Sequence, residues 1–172
     1  RRGVVAVAGA DGSGKTTQFR LLAERLKAVG HDVQVIKFPR YEEPSSHFVR
    51  QYLEGKYGPS DSVSPYTASV FYALDRYEAA SDILQALKEG KVVLSDRYAG
   101  ANMAHQGAKF TNISEQRGFF LWAEGLEYQQ LGIPRPNLNI YLRMPASISR
   151  QLINRRSQAS GAKLDEHEKS AD

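Results

Sequence analysis

The chain has 172 residues and no cysteine, which predicts one folded domain and excludes disulfides, thiolate metal sites and cysteine nucleophiles. Its net charge of +4 fits either an anionic ligand or a mildly basic protein, and the lack of a basic block or a basic stripe interleaved with aromatics predicts no nucleic-acid partner. No apolar run approaches the roughly 20 residues of a membrane helix, and Arg1-Arg2 does not begin a secretory signal, so we expect no membrane partner and a cytoplasmic location.

A glycine-rich loop follows the first apolar run of the chain. Residues 9–16 read GADGSGKT, which matches the phosphate-loop pattern G-x-x-x-x-G-K-[ST]. Glycines at positions 9, 12 and 14 predict positive φ angles and backbone N–H groups turned toward a phosphate. Lys15 would place a charge on the β- and γ-phosphates and the Thr16 hydroxyl would ligate Mg²⁺. The alternative is a glycine-rich turn without a ligand. The residues predicted to bind the ATP phosphates are Gly9, Ala10, Asp11, Gly12, Ser13, Gly14, Lys15, Thr16 and Thr17.

The pattern downstream of this loop alternates between helices and strands. Apolar residues at helical spacing predict a helix from Lys15 that Gly30 ends. A strand is predicted over Val33–Phe38, and residues 40–64 predict a short helix with loops that face solvent or substrate. Ser64-Pro65 has the chemistry of a helix start, and the helix runs to Gly90.

The second half of the chain continues this alternation. The run Val92–Leu94 is wholly apolar, as in a strand of a parallel sheet that helices cover on both faces. A helix over Ser114–Leu131, a strand over Leu138–Leu142 and a helix from Ser147 to about Asn154 follow. The expected fold is α/β, with ligands at the carboxyl ends of parallel strands.

Asp96 lies where the apolar strand at residues 92–94 ends. A carboxylate at this place is expected to be a second Mg²⁺ ligand beside a phosphate loop, although a strand-end aspartate also caps turns. Arg97 follows directly, which would place a cation where two phosphates must approach each other.

Several short motifs, in order along nearly the whole chain, resemble the thymidylate kinase family. That family has a P-loop NTPase-type parallel β-sheet flanked by helices and a mobile lid, and it transfers the γ-phosphoryl group of ATP to thymidine monophosphate with Mg²⁺. The motifs are GADGSGKTT, Phe38-Pro39-Arg40, Tyr72-Ala73-Leu74-Asp75-Arg76, Asp96-Arg97-Tyr98 with Asn102 and Gln106, Gly132-Ile133-Pro134-Arg135-Pro136, and Lys163-Leu164-Asp165-Glu166-His167-Glu168.

The resemblance implies roles for single residues. Asp11 would contact the sugar 3′-hydroxyl of the acceptor and lie near the metal, and Arg40 and Arg97 would clamp the acceptor phosphate. Arg76 would donate to thymine O4; on its position alone it would instead form a pair on a helix surface. Phe38 and Tyr72 would line or stack on thymine, although Tyr72 also suits an ordinary core position. The other expected acceptor-site residues are Pro39, Tyr98, Asn102, His105 and Gln106.

The chain departs from the family in the segment after Asp96-Arg97-Tyr98, where it has Ala101, Asn102 and His105. The family usually places an aromatic at the position of His105, which presses on the sugar and excludes a 2′-hydroxyl. We therefore expect weaker discrimination against ribonucleotides, with His105 as a flat spacer in the alternative interpretation.

A second departure concerns the catalytic cation and the C-terminal part of the chain. The phosphate loop contains no arginine, and family members with such a loop supply one from the lid. The candidates are Arg155 and Arg156, with Lys163 a weaker third, in a lid at about residues 155–168; the alternative is that these cations favour a helix C-terminus. The expected organisation is a single kinase domain over residues 1–172, without the family's usual C-terminal strand and helix, and a homodimer.

Three other functions stay open from the residues. The chain could be a different nucleoside or nucleotide kinase, a nucleotide-dependent switch or nucleic-acid-bound ATPase, or an inactive binding subunit.

An acceptor phosphate that is already ionised needs no catalytic base, so His105 is not expected to act as one.

Overall fold

The computed structural model describes residues 3–145, 147–149 and 151–152. The strands are β1 (Gly3–Gly9), β2 (Val33–Lys37), β3 (Val92–Asp96) and β4 (Leu138–Leu142). The helices are α1 (Lys15–Ala28), α2 (His47–Leu53), α3 (Pro65–Lys88), α4 (Ala99–Gly107) and α5 (Ile113–Glu124). A 3₁₀ turn over Pro44–Ser46 precedes α2, a π-helical turn over Gly125–Gln130 continues α5, and residues 147–149 and 151–152 are helical.

The four strands form one parallel sheet in the order β2-β3-β1-β4. Asp96 at the end of β3 is level with Val7 of β1 and with Lys37 of β2. The carboxyl ends of these strands therefore share one edge, where the polar residues of the phosphate loop and of the Asp96-Arg97 segment meet. The predicted α/β fold with a parallel sheet is confirmed.

Helices cover both faces of this sheet because successive side chains of a strand point to opposite sides. Val7 and Leu94 pack in one buried cluster with Ala23 of α1. Val4 and Val93 pack in the other, together with the inner face of α3. All five residues of β3 are buried, which explains why its sequence shows an apolar run without alternation.

The helix boundaries follow from local chemistry that the sequence displays. Gly14, at φ 78°, precedes α1, and Gly30, at φ 90°, follows its end. At the start of α3, the Ser64 Oγ accepts a hydrogen bond from the Tyr66 N–H at 3.3 Å, with Pro65 in the first turn. Proline is suited to this position because its missing N–H would have no partner in the helix anyway.

Three local features differ from the sequence-based expectations. Helix α4 was not predicted, and the helix expected over Ser114–Leu131 becomes π-helical at Gly125. The short helix α2 was expected in a segment that faces solvent or substrate, whereas its Val49 and Tyr52 are buried. Within the part of the chain that the structure describes, no helix is long and apolar enough to cross a membrane.

Candidate active site

The phosphate loop connects β1 to α1 at the carboxyl edge of the sheet. Gly12 and Gly14 have φ angles of 73° and 78°, as expected for a loop that turns its N–H groups inward. The same expectation is wrong for Gly9, whose φ is not positive. A Cβ on Gly9 would lie 2.8 Å from the Ser13 Oγ and 2.9 Å from the Leu142 carbonyl oxygen. Glycine is required there by close packing.

Lys15 and Asp96 face each other beneath this loop. The Lys15 Nζ lies 3.9 Å from the Asp96 Oδ1, and each side chain is 9% exposed. Burial lowers the pKa of Lys15, and the nearby Arg97 lowers it further, against the opposing charges of Asp96 and Asp11. The local charge therefore favours an anionic ligand, which would restore the balance.

The donor set at this edge fits a magnesium ion. The Asp96 Oδ1 is buried without a hydrogen-bond partner among the described residues, and an unpartnered buried oxygen is costly unless a ligand completes it. No group of three or more His, Cys, Asp or Glu residues placed to hold a metal ion occurs in the described part of the chain. Mg²⁺ commonly uses one or two carboxylates together with substrate phosphates. The Asp96 carboxylate therefore fits as one ligand of such an ion.

Arg97 connects the phosphate loop to a second pocket. Its Nη2 lies 2.6 Å from the Asp11 Oδ1, so the predicted metal neighbour Asp11 is paired with a cation. The backbone of Arg97 has φ 64°, an uncommon conformation for a residue with a side chain and one that occurs at functional sites. Its N–H donates to the Val7 carbonyl at 2.8 Å, which fixes the turn at the end of β3.

The second pocket is a partly enclosed cleft whose wall includes Arg97. It contains all of the predicted acceptor residues except Asp11 and Arg40, and it adds Tyr41 and Ala101. Its lining consists of Phe38, Pro39, Tyr41, Tyr72, Arg76, Arg97, Tyr98, Ala101, Asn102, His105 and Gln106. Helix α4, which was missed from the sequence, supplies the last four of these residues.

Buried aromatic rings form part of the pocket. Phe38 and Tyr98 meet edge to face with centroids 5.7 Å apart, and the Tyr98 hydroxyl donates to the Pro134 carbonyl at 2.8 Å. Burial raises the pKa of both Tyr72 and Tyr98, so both phenols stay neutral. The pocket wall therefore combines flat apolar ring faces with uncharged phenols.

Arg40 lies outside the pocket lining because Asp75 holds it. The Arg40 Nε lies 3.1 Å from the Asp75 Oδ1, and the Arg40 backbone N–H donates to Oδ2 at 2.8 Å. Ser45 also donates to this carboxylate, at 2.6 Å. Asp75 therefore ties the segment after β2 to α3. The sequence showed this residue only as part of a motif and gave it no role.

Arg76 is buried, so the interpretation as a helix-surface pair is wrong. Its Nε donates to the Glu127 carboxylate at 2.9 Å, its Nη2 donates to the same carboxylate, and both side chains are 2% exposed. Glu127 was not predicted. Its position was a possible signal, since it lies four residues after Ala123 on the inner face of the predicted helix, where a carboxylate requires a buried partner.

Asn102 and Gln106 lie one turn apart on α4 and both line the pocket. The Asn102 Oδ1 and the Gln106 Oε1 are buried and have no hydrogen-bond partner among the described residues. Buried polar atoms are rarely left unsatisfied, so these two acceptors indicate hydrogen bonds to a ligand.

The candidate lid residues Arg155, Arg156 and Lys163 lie outside the described residues.

Sequence comparisons agree with this arrangement. The family profile described as Thymidylate kinase matches residues 7–171. The chain is 29% identical to the thymidylate kinase of Mycobacterium tuberculosis over 171 residues, which cover 98% of this chain and 79% of that protein. It is 36% identical to the Caulobacter vibrioides enzyme of that name, covering 91% of this chain and 71% of the relative. It is 29% identical to the human thymidylate kinase, covering 84% of this chain and 62% of that protein.

Proposed function

The chain belongs to the thymidylate kinase family, and on that premise we propose that it transfers the γ-phosphoryl group of ATP to thymidine monophosphate. The observation that carries the proposal is the pairing of two sites at one edge of the sheet. Arg97 links the phosphate loop to the second pocket, because it contacts Asp11 of the loop and lines the pocket. A nucleotide switch needs only the first of these sites.

The donor half consists of the phosphate loop and Lys15. The loop N–H groups and the α1 N-terminus would hold the ATP phosphates, and Lys15 would neutralise charge at the β- and γ-phosphates. Thr16 and Asp96 are the residues that would hold magnesium. When bound, Mg²⁺ supplies further charge neutralisation between these phosphates.

The acceptor half is the pocket lined by Arg97, Arg76 and α4. An oxygen of the acceptor phosphate forms the new bond to the γ-phosphorus while the bond to the bridging oxygen of ADP breaks, so the products are thymidine diphosphate and ADP. Arg97 would hold the acceptor phosphate and Asp11 the sugar. Catalysis then depends on positioning and on charge stabilisation, as in other phosphoryl transfers.

The base is expected between the aromatic walls of the pocket. Arg76 would donate to a carbonyl of thymine, and the acceptors on Asn102 and Gln106 would complete the polar contacts. Arg40, held by Asp75, would approach the acceptor phosphate from the segment after β2. The additional catalytic cation remains a prediction for Arg155 or Arg156, outside the described residues. The homodimer, the single kinase domain with a lid, and the cytoplasmic location also remain predictions.

The deciding experiment is a coupled ADP-release assay with each of the nucleoside monophosphates, with thymidine, and without acceptor. We expect the highest kcat/KM with thymidine monophosphate. Faster turnover with thymidine itself would favour a nucleoside kinase, and acceptor-independent ADP release would favour a switch or ATPase. Either result would overturn the proposal.

A further inference from the structure

Arg76, which lines the second pocket, forms a buried ion pair with Glu127. Arg76 of α3 lines the pocket, whereas Glu127, in the π-helical turn after α5, does not. The two residues are 51 positions apart in the chain, and each side chain is only 2% exposed. The carboxylate therefore contacts the guanidinium from the side away from the pocket.

The atoms involved fix the orientation of the guanidinium group. Glu127 accepts from the Nε and Nη2 atoms of Arg76, which lie on one edge of the planar group. Arginine has five N–H donors in a rigid plane, so a two-point contact at this edge sets both its tilt and its rotation. The Nη1 end, which has no bond to Glu127, is left for the pocket that Arg76 lines.

Glu127 lies in the π-helical turn that continues α5. Gly125–Gln130 form a widened turn in which Glu127 is buried, and such turns recur at functional sites. The Ile133 N–H donates to the Glu127 carbonyl at 3.0 Å, which anchors the backbone of the turn at this residue. Glu127 is thus held by its main chain as well as by its side-chain contact.

The pair also decides the charge of the pocket wall. Burial lowers the pKa of Arg76, but the charge and hydrogen bonds of Glu127 more than offset this, so the pKa is raised and the guanidinium stays charged. A buried guanidinium without a carboxylate would attract any anion small enough to enter. With Glu127 present, the part of the wall that Arg76 forms has N–H donors and no net charge.

We propose that Glu127 is a positioning residue that sets base specificity. It aims Arg76 at a carbonyl of a neutral base and cancels the charge that would admit an anion in the place of the base. The inference rests on the proposed function, because it assumes that the pocket receives the base of a nucleotide. The buried acceptors Asn102 Oδ1 and Gln106 Oε1 also suit a neutral ring with an N–H group and disfavour an anion.

The test compares Glu127→Gln, Glu127→Asp and the surface control Glu124→Gln with the unmodified chain. Glu127→Gln removes the charge with little change in shape. It should raise KM for thymidine monophosphate about tenfold or more, keep kcat within about threefold, and reduce preference over cytidine monophosphate. Inorganic phosphate should become at least about tenfold stronger as an inhibitor competitive with thymidine monophosphate. Glu127→Asp keeps the charge, so it should raise KM without this new inhibition.

The phosphate measurement separates specificity from a structural role, since a loosened fold has no reason to gain an anion site. A folded Glu127→Gln protein with unchanged KM and unchanged phosphate inhibition would overturn the inference, as would a loss confined to kcat and to KM for ATP. If Glu127→Gln does not fold, Glu127→Asp decides: raised KM with unchanged phosphate inhibition supports the inference, and unchanged KM overturns it. Failure of the proposed function is visible separately, because the unmodified chain would then show no preference for thymidine monophosphate.

Discussion

At the scale of single residues, Lys15 is a charged group that is less stable in the empty site than in water and that an anionic ligand would stabilise. Its side chain is 9% exposed, and its Nζ lies 3.9 Å from the Asp96 Oδ1, beyond hydrogen-bonding distance. The lowered pKa means that the charged form is less stable here than in water. A bound polyphosphate would supply negative charge beside Lys15. Because this stabilises the charged ammonium group, it favours binding of the polyphosphate.

Lys15→Ala should therefore abolish catalysis without unfolding the protein. We expect kcat to fall by about 10²–10³-fold or more, because a preorganised charge at the transferred phosphoryl group is lost. Lys27→Ala, at an exposed position of the same helix, is the matched control and should keep normal rates. ADP-release kinetics and far-UV circular dichroism measure both effects. Near-normal turnover of Lys15→Ala would rule out this loop as the ATP site.

His105 tests recognition of the sugar. It lines the pocket at the position where the resembling family usually has an aromatic, so we expect weak but measurable use of uridine and deoxyuridine monophosphates. His105→Tyr should then increase the ratio of kcat/KM for deoxyuridine monophosphate over uridine monophosphate. The same ratio in both proteins would show that His105 does not face the sugar.

At the scale of elements, the sequence predicted the helices whose ends carry capping residues or glycines. The glycines around α1 and the Ser64-Pro65 start of α3 mark boundaries that the structure confirms. Helix α4 was missed because its nine residues, AGANMAHQG, combine small and polar types without an apolar stripe. Its N-cap, Tyr98, makes no side-chain cap hydrogen bond, so no start signal is visible either.

The sequence predicted most residues of the candidate site but not the side-chain contacts between them. The phosphate loop follows from its pattern, and the pocket residues follow from the resemblance. The pairs Asp75–Arg40 and Arg76–Glu127 join residues 35 and 51 positions apart, and no local periodicity encodes such contacts. The π-helical turn that carries Glu127 was invisible for the same reason, because its sequence, GLEYQQ, reads as ordinary helix.

The contact between α3 and the segment after β2 gives a prediction at this scale. Asp75 is 1% exposed and accepts from Arg40 and Ser45, so Asp75→Asn leaves a partly buried cation without its counter-charge. We expect a loss of about 3 kcal/mol in the free energy of unfolding. KM for thymidine monophosphate should also rise, because Phe38 and Pro39 of the same segment line the pocket.

Asp82→Asn is the control for this experiment, since Asp82 lies on the same helix and is exposed. It should change the free energy of unfolding by less than about 0.5 kcal/mol. Chemical denaturation and steady-state kinetics give the two readouts. Equal stabilities for Asp75→Asn and Asp82→Asn would show that the Asp75 contacts do not stabilise the segment.

At the scale of the whole molecule, parallel strands bring the two half-sites together. The phosphate loop follows β1, and the Arg97 turn follows β3, the neighbouring strand. The pocket is completed by the segment after β2 and by α3 and α4. Each substrate would therefore contact several elements that are distant in sequence, and its binding should stabilise the folded state as a whole.

This stabilisation can be resolved for each substrate by thermal unfolding. At about 100 times its dissociation constant, a ligand adds about 2.7 kcal/mol, which corresponds to a rise in Tm of about 5–10 °C for a chain of this size. Thymidine monophosphate and ATP with Mg²⁺ should each raise the Tm of the unmodified chain. Lys15→Ala should lose most of the shift with ATP and keep that with thymidine monophosphate, because Lys15 is not part of the pocket lining. Loss of both shifts in a folded Lys15→Ala protein would mean that the two half-sites are not separable, and the assignment of donor and acceptor sites would then be wrong.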